Sequence, residues 1–146
     1  MQTYGIVIAR QSGACALLVM ATIHANWARG SAWPARDERT LAQAVIGHDA
    51  MPSAPACLTV AALLLAAAAL VAGRPCGWPR VQRLGAAGVA ATLAGRGLIG
   101  VAGLMPQERT SSTFARWNRR LYSPLCLALA GLCVAGAVPP PCGDVT

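Results

Sequence analysis

The side chains in this sequence that could do chemistry are one arginine, one histidine and a small aromatic group. Arg96 lies slightly past the middle of LGAAGVAATLAGRGLIGVAGLM, residues 84–105, an apolar run with no other charge. An arginine at such depth in a bilayer costs about 2.5–3.5 kcal/mol on insertion scales unless it finds a partner or an aqueous cavity. Either it binds an anionic group or lines a polar cavity, or it is held by carbonyls, hydroxyls or Asn118 and fixes helix register. The first reading is preferred. His24 and Trp27 stand one helical turn apart at the end of the first apolar run, and Trp117, Asn118 and Tyr122 precede the last one. Aromatic walls with a cation and a histidine suit an anionic or amphipathic molecule such as a lipid. Hence His24, Trp27, Arg96, Trp117, Asn118 and Tyr122 form the candidate ligand site. The plainer alternative for His24 and Trp27 is an interfacial tryptophan beside a capping or packing histidine.

The elements that position these residues follow from composition. The chain has 146 residues, is 55% hydrophobic, and carries charge on only 12% of them, about half the share usual in a soluble domain. Its mean hydropathy is +0.50. The apolar residues fall into blocks at about 6–28, 56–72, 84–105 and 123–138, separated by the charge clusters. The expectation is an all-α, four-transmembrane-helix bundle forming one integral membrane domain over residues 1–146, with the lipid bilayer as its surroundings. At 100° per residue, Gly13, Leu17, Met20, Ala21 and His24 share a face of the first helix, with Trp27 at its edge. On the third, Gly85, Gly88, Thr92, Gly95, Arg96 and Gly103 fall within about a third of the circumference, which would let a neighbour approach closely. Ala86, Ala90, Leu93, Val101 and Leu104 would point the other way.

Two connections are informative. Residues 29–55 form a long polar link in which 38–46, ended by Gly47, reads as a short surface helix. Residues 106–121 place Arg116, Arg119 and Arg120 around Trp117 and Asn118, and Ser123–Pro124 reads as the N-cap and first residue of the last helix. Four crossings then bring His24, Trp27, Trp117, Asn118 and Tyr122 to one end of the bundle, with Arg96 in the nearer half of its helix.

Several chemistries are disfavoured. All 12 basic residues are arginine, and with abundant Ala and Gly this points to a GC-rich bacterial genome. The net charge of +7 sits at helix ends and short loops, so it marks orientation and anionic headgroups rather than nucleic acid. No metal-ligand spacing occurs, and no carboxylate lies in any apolar block to relay protons. No cofactor is indicated. A transporter or channel subunit would need a homo-oligomer or a membrane partner protein, because four short helices rarely enclose a pathway. A membrane enzyme using His24 as acid or base has no second catalytic group.

Six cysteines stand at 15, 57, 76, 126, 133 and 142. Cys15, Cys126 and Cys133 read as packing residues, and Cys76 and Cys142 share one side, where an oxidising compartment would let them pair. Four arginines on that side against seven on the other place the amino terminus outside a bacterial inner membrane by the positive-inside rule.

ATIHANWARG and FARWNRRLYSPLCLALAG resemble the DUF3995 family of small bacterial membrane proteins. The likeness spans nearly the whole chain and implies a four-helix integral membrane protein of uncharacterised function. It carries onto His24, Trp27, Arg96, Phe114, Trp117, Tyr122, Ser123, Pro124, Leu125 and Cys126. Arg29 departs from the family pattern, which leads to a small residue there. Asn118 stands where the pattern leads to aspartate, which would leave Arg96 less neutralised and an anionic ligand more attractive.

Overall fold

The computed structural model describes residues 2–74, 78–104 and 111–137. Among them the chain is all-helical: α1 (Gln2–Ala28), α2 (Glu38–Val45), α3 (Ala54–Val71), α4 (Pro79–Val101), α5 (Ser112–Trp117), a π-helical turn (Asn118–Tyr122) and α6 (Ser123–Gly136). Three helices, α1, α3 and α4, are long and apolar enough to cross a membrane. At most 28% of each apolar window is buried within the protein, so leucine, valine and isoleucine side chains face outward along all three. That is the surface of a membrane-embedded protein. The 14 residues of α6 rise about 21 Å, short of a bilayer core on their own.

Neighbouring helices run antiparallel. α1 packs chiefly on α3 and α4 chiefly on α6. A core of Ala14, Leu17, Ala68, Val71, Ala86, Ala90 and Cys133 joins the two pairs. The α1 face expected from its spacing is the one used, since Gly13, Leu17 and Ala21 are buried. α2 matches the surface helix expected at 38–46. Asp37 caps it by accepting from the Thr40 N–H at 2.8 Å, and Gly47, at φ +86°, ends it in a conformation other residues resist.

The interacting face of α4 differs from expectation. Its buried positions are Gln82, Ala86, Ala90, Gly97 and Gly100, while Gly88 and Thr92 are exposed and Gly95 faces open space. With half-buried Leu93 these form a seam spaced four and three residues apart, the rhythm of knobs-into-holes packing. Counting glycines misplaced the face, because only Gly97 and Gly100 are used for close approach to α6. A Cβ on Gly97 would lie 2.7 Å from Leu127 Cγ, and one on Gly100 would run into Ser123 Oγ.

Boundaries shift too. Pro79 fits the first turn of α4, where its missing N–H costs nothing, so the helix begins five residues before the apolar run. Gly103, at φ +68°, ends it near Val101. Arg96 therefore sits about 7.5 Å from the end of its helix rather than past mid-membrane. Ser123 is not an N-cap. The helix starts eleven residues earlier, where Ser111 Oγ accepts from the Phe114 N–H at 3.1 Å, and continues to Gly136 through the π turn. Pro124 explains that turn. An interior proline lacks a donor and clashes with the carbonyl four residues back, and the wider turn, closed by Ser123 N–H to Asn118 O, relieves this. Cys15 is exposed rather than packed, whereas Cys133 is buried. Cys76 and Cys142 lie outside the described residues.

Gly100→Ala is expected to cost about 1–3 kcal/mol through overpacking, with much of the loss restored in the Gly100→Ala/Ser123→Gly double variant. Gly95→Ala, placed in open space, should change stability by less than about 1 kcal/mol and in the stabilising direction. Denaturation followed by circular dichroism in detergent checks both.

Candidate functional site

The α4–α6 contact builds the first polar group. Because Gly100 has no side chain, Arg96 one turn before it can lie against the start of the π turn. Arg96 Nη2 donates to Asn118 Oδ1 at 2.9 Å, and Ser123 Oγ donates to the same oxygen at 3.3 Å. Asn118 and Ser123 are 4% and 0% exposed. Arg96 Nη1 is buried and has no hydrogen-bond partner among the described residues. Among the described residues the guanidinium thus has a neutral partner only, and an unmade bond to a buried donor costs about 1–3 kcal/mol. Arg119 Nη2 lies 3.5 Å from where a Cβ of Gly103 would stand, so a second guanidinium reaches the end of α4.

The second group lies at the same end of the molecule but on the other helix pair. The rings of His24 and Trp27 stand 4.9 Å apart at 57°. Trp27 Nε1 donates to Trp33 O at 2.8 Å. His24 Nδ1 stands 2.8 Å from Met20 O, and since a carbonyl only accepts, Nδ1 carries the hydrogen. Beside them opens an apolar pocket of about 230 Å³. Its walls are Val45 and Ile46 at the end of α2, Met51 and Pro52 in the connection, and Ala56, Cys57 and Val60 on α3.

α2 ties these groups together. Its last carbonyls lack partners within the helix, and the α5–π segment supplies them. Ser111 Oγ donates to Gln43 O at 2.7 Å, Tyr122 Oη to Ala44 O at 3.1 Å, and Ser111 N–H to Gly47 O at 3.1 Å. Tyr122 also packs near Phe114, with ring centroids 6.4 Å apart. Two carboxylates hold the shape of this strap, the connection over residues 29–53 that carries α2. The Thr40 backbone and hydroxyl hydrogen bonds hold Asp37 below its ordinary 3.8. Hydrogen bonds from Gln43 and then Arg39 do the same for Asp49.

Of the six residues proposed from sequence, the structure pairs Arg96 with Asn118 and His24 with Trp27. Tyr122 anchors the strap between the two pairs. Trp117 is 47% exposed and joins neither. Sequence reasoning missed Ser123 and Gly100, whose roles depend on the π turn. It also missed Arg10, 6% exposed at the opposite end, where Nε donates to Val71 O at 3.3 Å. There the arginine meets the free carbonyls and negative dipole end of α3. Buried Gln82 donates to Gly73 O at 2.8 Å nearby. A charge near the start of an apolar run was the only signal for Arg10.

A family model described as a protein of unknown function, DUF3995, matches residues 17–133. The chain belongs to the DUF3995 family. Neither the curated proteins nor the solved structures gave a match. The matched span holds both polar groups of this DUF3995 member and leaves out Arg10.

Asp37 and Asp49 set the expected pH response of the strap. A carboxyl whose pKa falls on folding contributes stability that is complete above its unfolded value and lost as pH drops through its folded value. Protection of α2 amides from hydrogen exchange should therefore hold at neutral pH and fall once the pH passes below 3.8. Asp37→Asn, which keeps a cap acceptor without a titrating group, should flatten part of that dependence.

Proposed function

We propose that this DUF3995 protein is a four-span membrane protein whose α4–α6 end binds the anionic group of an amphipathic molecule, of which a lipid phosphate is the simplest. One observation carries the reading: a half-buried guanidinium held by a neutral amide, with its buried Nη1 lacking any acceptor among the described residues. Supporting it, Arg119 reaches the same helix end, and Arg116 and Arg120 are exposed on the same segment. Exposed Trp117, Leu121 and Leu125 beside them give acyl chains a surface. The fourth crossing is the continuous helix from Ser112 to Gly136, 25 residues rising about 37 Å, which exceeds a hydrocarbon core. By its arginine distribution the amino terminus faces outward from a bacterial inner membrane.

The test compares lipids retained by wild type, Arg96→Leu and Asn118→Asp in nanodiscs containing phosphatidylglycerol and phosphatidylcholine, using native mass spectrometry. Wild type is expected to retain the anionic lipid selectively. Arg96→Leu should insert with unchanged helicity and lose that selectivity by tenfold or more, about 1.4 kcal/mol. Asn118→Asp should weaken it as well, because the new carboxylate would neutralise the guanidinium from within. Equal lipid retention in all three would make Arg96 a packing residue and overturn the reading.

A further inference from the structure

The pocket beside His24 and Trp27 is a separate site with different chemistry. We infer that it binds a small uncharged ring bearing a hydroxyl group, a simple phenol, with the hydroxyl donating to His24 Nε2. Most polar side-chain atoms of the lining residues are already committed. Trp27 Nε1 is committed to Trp33 O and the Cys57 thiol lies 3.8 Å from Pro52 O. The bond from His24 Nδ1 to Met20 O fixes the tautomer, so the lone pair of the neutral ring is on Nε2. No protein donor meets that nitrogen among the described residues, and it is not sealed off from the surface. Of the side chains that line the pocket, His24 is thus the one with a strong acceptor that has no partner among the described residues. A ligand that matches it must supply a donor.

The remaining walls decide the rest of the molecule. They carry no charged side chain, so an anion or cation would enter without compensation. Val45, Ile46 and Val60 offer apolar contact, and Trp27 offers an aromatic face. An apolar cavity of roughly 150 Å³ accepts benzene, so about 230 Å³ takes a ring with one or two small substituents. That volume is below the roughly 300–1,000 Å³ of sites for larger ligands. The site belongs to α1, α3 and the end of α2, and it does not depend on the anion site at Arg96.

The test uses the full chain in nanodiscs with isotope-labelled histidine, titrated with p-cresol and with its methyl ether, which keeps the ring but has no donor. The expected result is a saturable shift of His24 Nε2 with p-cresol, while exposed His48 serves as the reference. p-Cresol should bind about five- to tenfold more tightly than the ether, the worth of one hydrogen bond. His24→Phe should bring the two to equal affinity, Ala56→Leu should abolish saturable binding of both, and Arg96→Leu should leave both unchanged. Equal affinity for the two compounds in wild type would reduce the pocket to an apolar hollow and overturn the assignment. So would p-cresol binding that survives Ala56→Leu or disappears in Arg96→Leu, since either places the phenol elsewhere.

Discussion

The close approach of α4 to α6 at Gly97 and Gly100 is the constraint on which the polar architecture depends. Neither position has room for a methyl group beside Leu127 and Ser123. Because the backbones come so near, the hydroxyl of Ser123, the amide of Asn118 and the guanidinium of Arg96 share one small volume. The π turn belongs to the same constraint. It lets Pro124 sit inside a continuous helix, and its wider turn brings Asn118 and Ser123, five residues apart, together on the side facing α4. Moving the helices apart by the width of one side chain would take Arg96 away from the amide oxygen and leave it only Ser123, on its own helix.

A second regularity is that charged or polar side chains close helix ends instead of pairing with opposite charges. Arg10 on α1 caps the carbonyl end of α3, and Gln82 on α4 binds the carbonyl just past that end. At the other end of the molecule, Ser111 and Tyr122 cap the carbonyls of α2. The only ion pair among the described residues, Arg39 with Asp49, is on the exposed strap, where such pairs contribute little. In an apolar setting this economy has a physical reason. Helix-end carbonyls are obligatory acceptors with a fixed negative dipole, so they can hold a guanidinium without a second ion being desolvated.

How far the sequence could be read depended on whether a feature was local. The face of α1 follows from apolar spacing alone. The short helix of the strap follows from Asp37, Thr40 and Gly47, all within a few residues of its ends. Asn118 was visible as a partner for Arg96 because few polar groups lie near that level. The α4 face was not legible: a helical wheel gathers Gly85, Gly88 and Gly95 on one side, and only the facing surface of α6 shows that Gly97 and Gly100 are the glycines it approaches. Likewise Ser111 and Ser123 are both sound N-caps on paper. Ser111 prevails because its hydroxyl also binds Gln43 O, 68 residues away. The separation of His24 from Arg96 is a matter of helix pairing, α1 with α3 and α4 with α6, which no spacing within a single helix encodes.

Asn118 is the residue at which packing and electrostatics meet. Its oxygen takes two donors, Arg96 Nη2 and Ser123 Oγ, so in geometry it does what a carboxylate would do. In charge it does not, because an amide brings no negative charge to set against the guanidinium it orients. Held this way, Arg96 is fixed in direction at no cost in burying an anion, and its field extends toward the helix end about 7.5 Å away. A carboxylate at 118 would secure the same hydrogen bonds and cancel that field. The neutral amide therefore separates the two jobs of a buried partner, positioning and neutralisation, and performs only the first.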